Sequence, residues 1–235
     1  MSDTIYEAAK NLHHQMKNME VIANNLANIN STGYKRQIPF TEYLAREENQ
    51  GRQITDFSEG NFIETGNPFD LALTGSNFFM LKTERGIEIT KDGRFEISDD
   101  GYLVNENGDK VVSESGEVNL FEFVIEKNAT VKITSNGEIK VGTDVIDKIA
   151  VAKIENQDNL VRTEGQQFYD PGEDYETPPE SDYQIHQGFL EESNTNAIYE
   201  MQYMIKINRD YESSQKLIRE MDEMMGKAKE IGTVQ

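Results

Sequence analysis

The chain has 235 residues, 36% of them hydrophobic, and a formal charge of -20 at pH 7 from 43 Asp and Glu against 23 Lys and Arg. That length buries one sizeable core or two small ones, and the negative surface repels phosphate backbones and anionic membranes, so nucleic acid is excluded as an expected partner. With no cysteine, disulfides, thiolate catalysis and Cys-based zinc sites are excluded too.

The first residues, MSDTIYEAAKNLHHQ, carry no basic segment followed by an apolar run, and no apolar stretch reaches spanning length. Neither a cleaved secretory signal nor membrane insertion is expected. From Thr4 to about Asn28 there is no Pro or Gly, and Ile5, Leu12, Met16, Met19, Ala23 and Leu26 recur in steps of three, four or seven. This is the apolar stripe of an amphipathic helix, ended by the turn-forming cluster Asn28, Asn30, Ser31, Thr32 and Gly33. The polar stretch 46–61 reads as an extended connector.

Beyond the connector the apolar period shortens. Runs at 77–82, 87–90, 94–97, 102–104, 121–125, 130–134, 138–141 and 146–154 read as strands, punctuated by Asp92-Gly93, Asp100-Gly101, Asn107-Gly108 and Asn136-Gly137. Such dipeptides favour tight hairpin turns because Gly and Asn accept positive φ. The middle is therefore expected to be an antiparallel β domain. The segment 170–182 is acidic and holds three of the five prolines, which makes it an exposed loop.

From Ala197 to about Lys229, Met204, Ile207, Tyr211, Ile218, Met221, Met225 and Ala228 alternate by threes and fours, with Ser214 interrupting the row. That is a heptad seam flanked by mixed charges. The fold class expected is α+β. N- and C-terminal amphipathic helices, able to pair with each other and with those of other copies, flank a central antiparallel β domain. The expected divisions are 1–30 as an assembly helix, 31–68 as connector, 69–190 as β domain and 191–235 as the second assembly helix.

Candidate chemistry is sparse. His13 and His14, adjacent on a helix, point about 100° apart, and His186 stands without a second ligand. The acidic turns around Asp99, Asp100, Asn105, Asn107 and Asp109 lack the ligand order of a calcium loop. No phosphate loop or nucleophile elbow is present. Hence no catalytic residue, metal site or cofactor is assigned, and no enzymatic activity is expected. A carbohydrate-binding protein or hydrolase using the acidic loops is the competing reading.

Four motifs decide between them. Residues 23–35, ANNLANINSTGYK, resemble the signature that follows the first helix in flagellar rod and hook proteins. Residues 65–79, TGNPFDLALTGSNFF, are similar to that family's TGNPLDLAIDGDGFF stretch, and 90–95, TKDGRF, to its TRDGSF turn. Residues 187–196, QGFLEESNTN, with the helix that follows and its Arg209, Tyr211 and Glu212, resemble the family's closing element. These matches keep the family's order along nearly the whole chain. Departures are Asn77 for the usual Gly, Thr195 for a small apolar residue, and the acidic loop.

The resemblance implies a subunit of the flagellar axial structure, whose terminal helices form a coiled-coil-type core in the assembly with the β domain outside, placed in the proximal rod, with the distal rod or a hook-basal-body paralogue as alternative. Expected partners are other copies, neighbouring rod and hook proteins, and the flagellar export apparatus. The expected location is the basal body in the periplasmic space. The expected assembly interface comprises Leu12, Met19 and Leu26, the asparagines Asn24, Asn25 and Asn28, the turn at Gly33, and Met204, Ile207, Tyr211, Ile218 and Met221.

Overall fold

The computed structural model describes residues 2–39, 54–126, 129–163 and 165–232. It divides into two compact units, the first built from residues 1–29, 37–55 and 195–235, the second from 30–36 and 56–194. Helices at both chain ends and antiparallel strands between them make the protein α+β.

In the first unit, α1 (Ser2–Ala27) packs against α2 (Ala197–Gly232), and the short ladder of β1 (Gln37–Ile38) with β2 (Ile54–Thr55) lies beside α1. Both helices are long and free of Pro, so their helicity needs no special device. Gln15 Nε2 donates to Ser214 Oγ at 3.4 Å, which fixes the helix pair at one point. Half of the connector expected at 46–61, residues 46–53, lies outside the described residues.

The second unit is built on a sheet with strand order β15 (Val161–Arg162), β16 (Gln167–Tyr169), β6 (Gly86–Thr90), β5 (Asn77–Thr83), β9 (Lys110–Ser113), β8 (Leu103–Val104) and β7 (Glu96–Ile97). Off this path, β10 (Gly116–Glu117) pairs with β9 and β14 (Val151–Lys153) with β5. Strand β5 explains the continuous apolar run NFFMLK. Side chains alternate across a strand, and here both faces are covered. Phe79 and Leu81 join a core with Leu71, Leu103, Val111, Ile139 and Ile185, whereas Phe78 joins Ile89, Ala152, Ile154 and Phe168 on the other face. Phe57 closes that second cluster edge-on, its ring centroid 5.0 Å from Phe168 and 5.4 Å from Phe78. Each such buried aromatic contributes ~1.5–3 kcal/mol.

A separate three-stranded sheet joins β11 (Val131–Ile133), β12 (Glu138–Val141) and β13 (Asp144–Lys148). Two short ladders pair β17 (Ile185–Gln187) with β4 (Leu71–Leu73) and β18 (Phe189–Glu191) with β3 (Phe62–Glu64).

Three sequence expectations are corrected. Residues 121–126 form one π-helical turn, not a strand: Asn119 Oδ1 accepts the Phe121 amide, and the Phe123 and Val124 amides both turn back to the Leu120 carbonyl. The apolar run 146–154 is not one strand, because the chain changes partner within it. Residue 149 donates to the Gly137 carbonyl and residue 150 to that of Val112, after which β14 pairs with β5. Gly93 is not a positive-φ hairpin residue. A Cβ there would meet the Leu71 carbonyl oxygen, so the glycine permits close backbone approach, sealed by the Leu71 amide donating to the Gly93 carbonyl at 2.9 Å.

Candidate functional site: the signature junction and the helix faces

The four sequence motifs give the second unit its most connected region. Thr65 Oγ1 and Asn67 Nδ2 donate to opposite oxygens of Asp70 at 2.6 and 2.9 Å, and the Gly188 amide donates to the Asp70 carbonyl at 2.7 Å. The Thr65 and Gly66 amides in turn reach the Gly188 carbonyl. The TGNPFD and QGFLE segments thus lock together. Asp92, from TKDGRF, accepts from Thr32 Oγ1 at 2.8 Å and from Arg94.

Gly33 shows why that position is glycine. Its φ is +66°, and a Cβ would fall 2.3 Å from the Asp92 amide nitrogen. Its own amide donates to the Glu191 carbonyl at 2.7 Å. Left-handed backbone is disfavoured for residues with a Cβ, and the steric block adds to that cost. Next along the chain, Tyr34 and Phe168 flank the Arg162 guanidinium, whose carbon lies 4.7 and 4.8 Å from their ring centroids. Arg162 Nη2 donates to the Lys35 carbonyl. Burial lowers the pKa of this guanidinium.

At the centre is an ion cluster that the sequence reading missed. Lys35 Nζ lies 2.6 Å from Glu191 Oε1 and donates to the Ser58 carbonyl at 2.7 Å, while the Gly60 amide also donates to Oε1 at 2.8 Å. Lys91 Nζ donates to the Leu73 and Gly75 carbonyls at 3.1 and 2.6 Å and lies 3.9 Å from Glu191 Oε2. The two lysine side chains are 1% exposed and that of Glu191 is fully buried. Desolvation pulls the Lys91 pKa down to about 8; Glu191 and Glu59 oppose that shift and Lys35 adds to it. All three ionic residues sit inside motifs quoted above. Motif spacing marked their segments, but nothing in a polar sequence marked them as buried.

A groove of about 610 Å³ includes Asn107 and Asp109 but neither Asp99 nor Asp100. Within it Lys82 and Lys110 bond opposite oxygens of Glu117 at 2.6 and 2.9 Å, holding that carboxyl down to about 2, and Gln167 donates to Asp109. No acid and base pair emerges there. Among the described residues no group of three His, Asp or Glu is arranged to hold a metal, and no helix is long and apolar enough to cross a membrane.

The remaining expected residues lie in the first unit. Asn25 is buried and pairs twice with Gln37, donating through Nδ2 to its carbonyl at 2.8 Å and accepting its amide at Oδ1 at 2.9 Å. Asn28 Nδ2 donates to the Asn24 carbonyl at 2.9 Å, while the Asn24 side chain is exposed. On α1 the buried face is Asn18, Val21, Ile22 and Asn25. At 100° per residue, the stripe Leu12, Met16, Met19, Ala23 and Leu26 centres roughly 130° away. Leu12, Met19 and Leu26 are half-buried, and Met16 is 53% exposed.

On α2 the heptad seam is the more covered face: Ile207 is buried, and Met204, Tyr211, Ile218 and Met221 are half-buried. A second apolar patch, Ile198, Met201 and Ile205, sits roughly 120° round the helix. Ile198 is 70% exposed and Ile205 54%.

Comparison with known proteins accords with this arrangement. Residues 5–35 match the family description "Flagella basal body rod protein", 72–141 match "Flagellar hook protein FlgE/F/G D1 domain", and 186–231 match "Flagellar basal body rod FlgEFG protein C-terminal". The chain is 27% identical to the flagellar basal-body rod protein FlgF of Mesorhizobium japonicum, over 94% of this chain and 93% of that one. It is 27% identical to FlgF of Caulobacter vibrioides over 98% of both chains. With the flagellar basal-body rod protein FlgG of Buchnera aphidicola subsp. Baizongia pistaciae it shares 30% identity over 97% of this chain and 98% of that one. A match of that extent, in motif order and over both helices and the β unit, means that the chain belongs to the flagellar basal-body rod protein family.

Proposed function

We propose that the chain polymerises through its two terminal helices into the axial drive shaft of the flagellum, at the level of the proximal rod. The observation that carries this reading is the pair of solvent-facing apolar stripes, Met16 with its neighbours on α1 and Ile198, Met201 and Ile205 on α2. A helix that buries one face within its own chain and keeps a second apolar face has a second partner to find. The alternating threes and fours of α2 suit coiled-coil packing, and contacts that repeat from copy to copy without closing into a ring build a helical tube.

In this reading Leu12, Met19 and Leu26 flank exposed Met16 in the contact between copies, while Met204, Ile207, Tyr211, Ile218 and Met221, the covered seam of α2, hold together the helix pair whose outer stripes pack the tube's core. Asn24, Asn25, Asn28 and Gly33 shape the turn that leads out of it. Partners are further copies and the adjoining rod and hook proteins. Delivery to the periplasmic space runs through the flagellar export apparatus. The FlgF relatives, matched over nearly their full length, support the proximal position. The FlgG relative, at 30% identity, supports the distal rod as the second reading.

The test is complementation of a strain lacking the chain. Met16→Asp combined with Ile205→Asp is expected to be exported yet to abolish rod growth and swimming, whereas normal swimming would overturn the interface.

A further inference from the structure

We infer that the buried Lys35, Glu191 and Lys91 cluster is a latch that closes the β-rich unit on its chain crossings only when the C-terminal segment is in place, with Glu191 as its positioning residue. The inference stands apart from the assembly reading. The second unit is first entered at Asn30, and is left or entered again at three further residues, Arg36, Asp56 and Asn194. These three residues bond in a cycle: the Asp56 amide donates to the Arg36 carbonyl at 2.8 Å, the Arg36 amide to Asn194 Oδ1 at 2.7 Å, and Asn194 Nδ2 to the Asp56 carbonyl at 2.8 Å. Glu191 ties its own segment to the other two again, its carboxylate through Lys35 and Gly60 and its backbone carbonyl through the Gly33 amide.

A simple ion pair needs one lysine, and here there are two. Lys35 belongs to the connector, whereas Lys91 is anchored to the β core through the Leu73 and Gly75 carbonyls. Glu191 Oε2 is buried, faces Lys91 and has no hydrogen-bond partner among the described residues. Without Glu191, Lys35 loses its ion-pair partner and Lys91 keeps only the smaller attraction of Glu59, so two ammonium groups in the interior are left short of counter-charge, a state of high cost. Lys35 and Glu191 are 156 residues apart, so the pair joins the first and last segments of the unit. Completion of the β unit and capture of both chain ends are therefore one event.

Hydrogen exchange on the full-length chain tests this, comparing the amides of Gly33, Arg36, Asp56 and Gly60 with those of β5 and β6. Glu191→Gln is expected to speed exchange at the four crossing amides about a hundredfold while β5 and β6 keep their protection. The triple variant Lys35→Met/Lys91→Met/Glu191→Leu, which removes the carboxylate and both ammonium groups together, is expected to restore protection at Arg36 and Asp56. Unchanged exchange in Glu191→Gln, or an equal rise in β5 and β6, would overturn the latch. If Glu191→Gln does not fold, Lys35→Met alone serves: selective release of the crossing amides supports the latch and retention overturns it.

Discussion

Asn25 and Gln37 pair through two hydrogen bonds in which a side-chain carboxamide takes the place of a neighbouring β-strand. The buried carboxamide satisfies both backbone groups where the chain runs back along α1. Asn25→Ala leaves a buried donor and acceptor unpaired, at ~1–3 kcal/mol each. Urea unfolding is expected to show a loss of about 2–6 kcal/mol. Asn25→Asp keeps the acceptor but sets a buried carboxyl oxygen against the Gln37 carbonyl, so at neutral pH it is expected to lose at least as much as Asn25→Ala.

Gly33 combines positive φ with a backbone wall at Asp92. Gly33→Ala is expected to cost more than ~2 kcal/mol, since left-handed backbone accounts for ~1–2 and the clash adds to it. Gly108, with positive φ but open space around it, is the control. Gly108→Ala is expected to cost only the backbone term, which thermal melting of the two variants side by side measures.

Lys91 gives a pH signature. Its pKa is about 8 in the folded protein against 10.5 unfolded, so unfolding takes up a proton between those values and its contribution to stability rises with pH across that window. The groups facing it are Glu191, Lys35 and Glu59. Relative to Lys91→Met, the wild-type protein is expected to gain up to ~2 kcal/mol between pH 8 and 9.5, at ~1.4 kcal/mol per pH unit. Denaturant midpoints for both proteins at the two pH values check the sign, and a flat difference contradicts it.

Replacing Ile207, buried on the α2 seam, should act differently from replacing exposed Ile205. Ile207→Ala is expected to cost ~2–5 kcal/mol of stability as a core truncation. Ile205→Ala is expected to leave monomer stability within ~0.5 kcal/mol and to weaken polymerisation. Calorimetry with sedimentation of both variants separates the two faces.

Much of this architecture is legible in the sequence, for identifiable reasons. The helices show because their periodicity is local and uninterrupted, and β5 and β6 because turn residues bound them. Residues 121–126 misled because an apolar run without alternation does not distinguish a strand from a helical turn, and Asn119 decided it. The run 146–154 hid a change of partner, which is a long-range choice. Lys35, Lys91 and Glu191 stayed hidden because charged residues read as solvated until the tertiary fold buries them. The motifs nonetheless marked the segments that converge there.

The most direct measurement of the central claim is mass spectrometry of purified hook-basal bodies from the source bacterium, with antibody labelling to place the chain along the axis. Stoichiometric recovery with label on the proximal rod is the predicted result. Absence of the chain from intact basal bodies would contradict the account.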